Sequence, residues 1–583
     1  MRATTILVGD LTVEVSATGC EHLTADTSAL AEGVVELRVT AHGGERATVT
    51  VSWEMPCLDL VGYWTPRSQD HRWLPAVWAE PRTTSLLTDA PVGSLVAGAD
   101  TNRCTFAAAE TRRPVTIAVG VREETGEYEV RVTHELAVGE EPDSLRLLLD
   151  LSDRHFAACL ADVADWWRAD HRRAPVPAVA RRPAYSTWYA HHQHVDAAAV
   201  EREAALAGKL GCDTIIVDDG WQTSDTRRGY AFCGDWAPDP VKFPDPAGHV
   251  ARVRALGLGY LLWYALPFLG RDSAAWPRFH DRCLSYDEDL RAGVLDPRYP
   301  QVRAHLVASC AQAVRTWGAD GLKLDFVDAF AVPSPPTVGR DADCDSVEEG
   351  VDRLLRELDS TLRETNPEPL VEFRQGYVSP GLWRYATMVR ATDCPLTPAE
   401  NRVRTVDLRL VCGPLAVHAD MLTWHPDSPP EQVAGQLINV LFAVPQISVP
   451  LKEIDPAQRD VVAFWLGFVR EHAVVLQYGE FRPSGLELGY PLVRATDGRT
   501  SIVGLYAETV VEFPQRCREL LVANASAADR VTVRAAEDLT GLRVTAHDCR
   551  GRVVASVEDI DLPAGVHDLP VPVGGLLSLR RPL

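Results

Sequence analysis

Long apolar runs are missing from this sequence. No stretch approaches about 18 uninterrupted apolar residues, so no membrane-spanning helix is expected. Paired cysteines are missing too: the 13 Cys are odd in number and show no Cys-x-x-Cys spacing. That pattern reads as reduced, mostly buried thiols in a cytoplasmic protein. The Met1 end, MRATTILVGDLTVEV, has neither the basic start nor the apolar core of a signal peptide, which fits the same compartment. Gly-rich phosphate loops and the His-Glu-x-x-His helix signature are absent, so neither nucleotide binding nor zinc-protease chemistry is indicated, and no cofactor is expected. Positive charge is in deficit: 58 Lys and Arg against 81 Asp and Glu leave a net charge of -23, which sets aside nucleic acid and anionic membranes as partners.

What is present is ordinary in bulk and informative in detail. A chain of 583 residues with 46% apolar and 24% charged side chains is a soluble globular protein of about two to four domains. Fifteen Trp offer flat, weakly polar faces that suit sugar rings, although most Trp in any protein fill cores.

Residues 1–150 read as an N-terminal β-sandwich, because 12–16, 35–39 and 128–132 alternate apolar and polar side chains between Gly, Asp and Pro breaks. Within it, residues 62–78 form an aromatic-rich loop with Trp64, Trp73 and Trp78; such rings either fill a domain interface or lean over a neighbouring site. Residues 151–182 hold a helical stretch at 155–171 and a Pro-rich linker. Residues 183–475 alternate strand and helix signals. Their eight candidate strands, at 185–189, 214–219, 259–264, 321–326, 370–373, 387–390, 415–418 and 446–449, predict a catalytic (β/α)8 TIM barrel. Residues 476–583 return to strand patterning and predict a C-terminal antiparallel β-domain.

The central stretch is Gly321-Leu322-Lys323-Leu324-Asp325-Phe326. Strand alternation sends Lys323 and Asp325 to one side and Leu322, Leu324 and Phe326 to the other. An ammonium beside a carboxylate keeps it ionised, as a carboxylate nucleophile requires; a structural ion pair closing the strand is the plain alternative. Asp218-Asp219, Asp325, Asp393, and His418 with Asp420 all fall at or just past C-terminal strand ends, the rim where barrel active sites lie. Asp325 and Asp393 suggest glycoside chemistry, one attacking the anomeric carbon and the other, with a raised pKa, protonating the leaving oxygen. An Asx-turn before Pro395 would equally place Asp393. Adjacent Asp218 and Asp219 suit two neighbouring hydroxyls, and Trp221 and Trp263 offer stacking faces; a loop-capping Asp pair with a packed Trp is the alternative.

These motifs resemble glycoside hydrolase family 36, the melibiase-type retaining α-galactosidases. The resemblance runs through Asp-Asp-Gly-Trp at 218–221, Lys-Leu-Asp at 323–325, Arg-x-x-Asp at 390–393 and the 418–424 stretch that begins with His418. It implies Asp325 as nucleophile, Asp393 as acid/base, Asp218 and Asp219 at O4 and O6, Lys323 at O3 and O4, and Arg390 near O2. It implies Trp188, Tyr189 and Trp263 as aromatic walls and Trp64 as an aromatic lent by the N-terminal domain. It further implies an α-linked oligosaccharide or glycoside as substrate and a homo-oligomer. Two departures stand out. Glu372-Phe373-Arg374-Gln375-Gly376-Tyr377 replaces a Cys-Ser-Gly-Gly loop that helps read the C2 substituent, and Ala265-Leu266-Pro267-Phe268 replaces acids after the third strand. The glycone therefore stays open between galactose, N-acetylgalactosamine and glucose.

Other readings compete. A metal-dependent barrel enzyme would use His191, His194, Asp218 and Asp325, but further ligands at metal spacing are lacking and no metal is expected. Asp341, Asp343 and Asp345 start like an EF-hand loop but lack its Gly and Glu, and read as a solvated acidic loop. An inactive carbohydrate-binding protein would not need both Asp325 and Asp393 together with Lys323 and Arg390.

Overall fold

The alternation at residues 12–16 becomes the strand Leu11–Thr18, in which Val13, Val15 and Ala17 are buried. The structure, a computed structural model, describes residues 2–67, 73–138, 143–171 and 176–582. The N-terminal strands form two six-stranded sheets packed on one apolar core containing Val15, Leu37, Val51, Phe106 and Val130. The strands of these two sheets pair antiparallel. The helix Phe156–Asp170 then buries Phe156, Leu160, Val163 and Trp167 on one face and leads toward the barrel.

Eight parallel strands follow: β1 (Ala184–Ser186), β2 (Thr214–Val217), β3 (Gly259–Ala265), β4 (Gly321–Asp325), β5 (Leu370–Arg374), β6 (Met388–Arg390), β7 (Ala416–His418) and β8 (Gln446–Ile447). They pair in sequence order, β8 also pairs β1, and bridges His418–Val444 and Leu422–Ile447 join β7 to β8, which closes the barrel. Helices α1 (Ala197–Leu210), α2 (Pro246–Ala255), α3 (Pro300–Arg315), α4 (Val347–Thr365), α5 (Pro398–Val411), α6 (Pro430–Asn439) and α7 (Pro456–Glu471) surround it. Their starts are written locally: Asp196, Asp245, Ser346 and Asp455 each accept from a backbone N–H in the first turn, and Pro opens α2, α3, α5, α6 and α7.

Several expectations change. The first strand ends at Ser186, and Trp188–His191 is a helical turn rather than strand. Between β5 and β6 the chain makes only a three-ten turn, Pro380–Leu382, so one of the eight units lacks its α-helix. After β3 a small antiparallel sheet of Phe268–Gly270, Cys283–Asp287 and Ala292–Leu295 is inserted before α3. Of the Pro-rich linker, residues 172–175 lie outside the described residues. Its remainder packs instead of spanning: the turn Ala178–Arg181 puts Ala180 in one apolar cluster with Ile216, Leu261, Leu370, Met388 and Ala416, contributed by five of the barrel strands. That contact stops the foot of the barrel.

The C-terminal strands form a seven-stranded and a three-stranded sheet. They are antiparallel except where Thr500–Leu505 pairs Glu519–Asn524 and Val510–Phe513 pairs Arg530–Ala535, both parallel. Here successive strands alternate between the two sheets, so each sheet receives its next strand by a crossover rather than a hairpin. Among the described residues no helix is long and apolar enough to cross a membrane.

Candidate active site

The strand register brings the polar residues of neighbouring strands side by side: Trp263 opposite Lys323, Lys323 opposite Glu372, Arg374 opposite Arg390, and Arg390 opposite His418. Asp325 closes β4 at the rim. Its Oδ1 accepts from the Phe326 N–H at 2.9 Å and lies 3.3 Å from Arg374 Nη1, while its Oδ2 accepts from Trp263 Nε1 at 3.2 Å. Burial pushes its pKa up, but Arg374, then Lys323 and Arg390, outweigh that and hold it below the ordinary carboxylate value. Phe326 is not part of the strand's packing face as expected. It takes a left-handed φ of 63°, and its ring meets Phe268 and Tyr230.

Lys323 is not the direct partner of Asp325. Its Nζ donates to Asp218 Oδ2 at 2.6 Å, a buried ion pair between β4 and the end of β2. The adjacent Asp219 receives Gln193 Nε2 and Gln222 Nε2, each at 2.7 Å, and burial pushes its pKa up to about 6. Gly220 is required at this point: its φ is +112°, and a Cβ there would come within 2.5 Å of Gln193 Cα.

Asp393 follows β6, and its side chain is 45% exposed. It accepts from Arg390 Nη1 at 2.8 Å, and the same guanidinium donates to Asp420 Oδ1 at 2.7 Å. Burial raises the Asp393 pKa, yet Arg390 and then Lys323 dominate and bring it down to about 2. The raised pKa expected from its role as a proton donor is therefore not present in the unliganded protein. Asp325 and Asp393 nevertheless answer to the same three cations, Lys323, Arg374 and Arg390.

The aromatic and histidine expectations divide. Trp188 and Tyr189 are half-buried at the rim: Arg228 lies 5.3 Å over the Trp188 ring, and the Tyr189 hydroxyl donates to Asp420 Oδ2 at 3.1 Å. Trp263 reaches the site through its indole N–H on Asp325 rather than through an open ring face. Trp221 is buried among Trp236, Tyr264 and Trp317 and donates to the Trp263 carbonyl, so it offers no stacking face. Trp64 is 0% exposed and donates to Asp407 Oδ1 at 2.8 Å; it fills the domain interface rather than the mouth. The loop after it does approach the rim, where Gln375 Nε2 donates to the Pro66 carbonyl at 3.5 Å. His418 lies deep in the barrel, with Nε2 at 2.7 Å from the Ala180 carbonyl, and burial pushes its pKa down to about 4. Its ring thus meets the turn at the foot of the barrel rather than presenting an open face.

Asp420, expected with His418 at the end of the seventh strand, is fully buried and gathers Arg390, Tyr189 and the Cys394 N–H. Arg374 and Glu372 were not singled out as site residues. Arg374 is the nearest cation to Asp325 among the described residues, and its place at a strand end level with the rim acids could have found it. Glu372 is fully buried beside Gln446, which donates to its Oε2 at 2.5 Å, and burial raises its pKa. Nothing local in the sequence marks Glu372 as internal. In the metal reading, Asp218 and Asp325 face Lys323 and Arg374, cations that a metal ion would have to displace. The acids at 341 and 343 pair with Arg282 and Arg303.

Clefts of about 470 Å³ beside the helix Phe156–Asp170 and about 1020 Å³ on the sandwich lie elsewhere. Their acids, such as Asp162 and Glu54, are surface partners of Arg154 and Arg122. At the rim an oriented carboxylate, held ionised, and a half-exposed one lie in the field of the same cations.

No family model matches the chain. Alpha-galactosidase 2 of Pediococcus pentosaceus is 27% identical over 149 residues, 24% of this chain and 20% of that protein. Probable alpha-galactosidase G of Emericella nidulans is 36% identical over 170 residues, 26% of this chain and 23% of that one. The match thus spans under a quarter of the length of these relatives. In structure, the chain is similar over its full length to the α-galactosidase from Lactobacillus brevis, with a TM-score of 0.66, 15% identity and 83% of that chain covered. It is similar over 98% of its length to a family 36 α-galactosidase of Geobacillus stearothermophilus in complex with stachyose, with a TM-score of 0.65, 15% identity and 82% of that chain covered. At this identity the likeness carries the fold: a barrel between β-domains as in family 36 α-galactosidases.

Proposed function

We propose that the chain is a retaining α-glycoside hydrolase of the family 36 type, acting on α-galactosides. One observation carries the reading: a buried Asp325 at the end of β4, kept ionised by Arg374 and Lys323 and oriented by Trp263, shares its cations with a second rim carboxylate, Asp393. The folds and partial sequences of the α-galactosidases above support it.

In the first step an Asp325 oxygen attacks C1 and the glycosidic C–O bond breaks. The leaving oxygen takes the proton carried by Asp393, and a β-linked glycosyl ester forms. In the second step Asp393, now a carboxylate, removes a proton from water. The water oxygen attacks C1, the ester bond breaks, and the sugar leaves with its α configuration while Asp325 is again a carboxylate. A retaining enzyme of this kind holds its carboxyls about 5–5.5 Å apart rather than the roughly 6.5–9.5 Å of inverting ones. Asp218, Asp219, Lys323 and Arg390 would hold the hydroxyls, with Trp188 and Tyr189 as the rim's aromatic walls. Because Arg390 keeps Asp393 ionised in the free protein, substrate must displace water from that half-exposed carboxylate before it carries a proton.

The test is turnover of p-nitrophenyl α-galactoside by the wild type and by Asp325→Asn. The variant is expected to lose about 10⁴-fold or more in kcat. A mechanism-based galactoside inactivator is expected to esterify Asp325. Near-wild-type turnover by Asp325→Asn, or a label on another acid, would remove the assignment.

A further inference from the structure

Arg409, in the last turn of α5, is a half-buried cation without a carboxylate partner among the described residues. Its Nη1 donates to the Phe442 carbonyl at 2.9 Å and to the Leu476 carbonyl near the end of the short helix Ala473–Tyr478. The other N–H groups of its guanidinium have no described acceptor, and the residue lines the cleft of about 470 Å³ beside the helix Phe156–Asp170. The charge felt by Arg409 is a second cation: burial, then Arg181, push its pKa down to about 9.

Arg181 lines the same cleft. Its Nη2 donates to the Pro414 carbonyl at 2.6 Å and its Nη1 to Gln477 Oε1 at 3.4 Å. That donation fixes which end of the Gln477 amide is oxygen, and the buried Nε2 at the other end has no partner. A buried amide N–H ordinarily has an acceptor. The acids that line the cleft are engaged elsewhere: Asp162 with Arg154, Asp165 with Arg168 and Glu480 with Arg482, all exposed at the surface.

We propose that this cleft is a seat for a dianionic oxyanion of the phosphate class, held by Arg409, Arg181 and the Gln477 amide. Two guanidinium groups with only each other's charge nearby are neutralised by one dianion, whereas a monocarboxylate would leave one charge uncompensated. The volume exceeds that of a bare phosphate and has room for a phosphate carried on a small organic group. Helix capping accounts for Arg409 Nη1. It accounts neither for a second cation in the same field nor for the orphaned amide next to it. The walls come from the helix Phe156–Asp170, α5 and residues 477–482, so a bound anion ties these segments together and raises the stability of the chain.

The experiment follows the thermal midpoint and the binding isotherm of the full chain with inorganic phosphate and with glycerol 3-phosphate, against sodium chloride at matched ionic strength. Phosphate is expected to raise the wild-type midpoint saturably, half-complete below about 10 mM, and chloride is not. Arg409→Gln abolishes the response, and Arg409→Lys, which keeps the charge, retains part of it. Gln477→Glu puts a carboxylate within reach of Arg181. It is expected to raise the midpoint without phosphate and to weaken phosphate binding about tenfold or more. A tighter fit for the monoester assigns the spare volume to its organic group; an equal or weaker one assigns the seat to free phosphate. If phosphate acts no more than chloride does, or if Gln477→Glu and Arg409→Gln bind it as the wild type does, the seat does not exist and Arg409 is a helix cap alone.

Discussion

Arg390 governs when Asp393 holds a proton. With its pKa brought down to about 2, the free protein carries Asp393 almost wholly ionised near neutrality. If the proton-bearing form must meet the substrate, kcat/KM on raffinose falls about tenfold per pH unit through the neutral range. A dinitrophenyl α-galactoside, whose leaving group departs unprotonated, gives a level profile over the same range. The same contrast applies to Asp393→Asn, which is expected to lose about a hundredfold or more on raffinose and far less on the dinitrophenyl sugar. Equal losses on both would assign Asp393 to binding. The places of Asp325 and Asp393 at strand ends were legible in the sequence because each follows a strand signal. Their electrostatics were not. Lys323 turns to Asp218 and Arg374 arrives from the next strand, so which cation serves which acid depends on register between strands that lie far apart in sequence.

The strands owe part of their alignment to the Lys323–Asp218 pair, which ties the end of β2 to β4 across β3. Both side chains are almost fully buried, so removing one partner strands a charge. Lys323→Met is expected to cost about 3–5 kcal/mol of stability, and pairing it with Asp218→Asn recovers much of the loss. Thermal or urea unfolding of the two single variants and the double variant measures this. Additive losses would mean that the pair contributes no coupling. At this scale the eight strands could be read from short apolar runs between turn signals. The helix absent after β5 could not, since its place is taken by the three-ten turn beside Leu86 and Thr111, loop residues of the N-terminal region, a tertiary contact with no local signature. Nor could Trp188–His191 be told from strand. An aromatic run after a strand continues its apolar pattern, whatever the backbone does.

Three regions of the molecule meet at one carboxylate. Asp407 on α5 accepts from Trp64 of the sandwich at 2.8 Å and from the Tyr490 hydroxyl of the C-terminal region at 2.7 Å. Asp100 of the sandwich adds bonds to the Gly485 and Leu486 N–H groups, and Arg112 pairs with Asp352 on α4. These ties predict one cooperative unfolding transition for the whole chain. Asp407→Ala leaves two buried donors short of an acceptor, at about 1–3 kcal/mol each. Calorimetry is expected to show a lower midpoint for that variant, with the sandwich beginning to melt apart from the barrel. An unshifted midpoint would mean that the junction holds by apolar packing alone. Trp64 is the instructive residue: its sequence context marked it as special, and only its burial shows that the reason is assembly.

The turn at Ala178–Arg181, sealed to His418 and to the apolar ring of Ile216, Leu261, Leu370, Met388 and Ala416, makes the barrel a cup rather than a tube. With the foot closed and the barrel packed, the polar strand ends open to one face alone, so whatever reaches Asp325 arrives and departs by the same side.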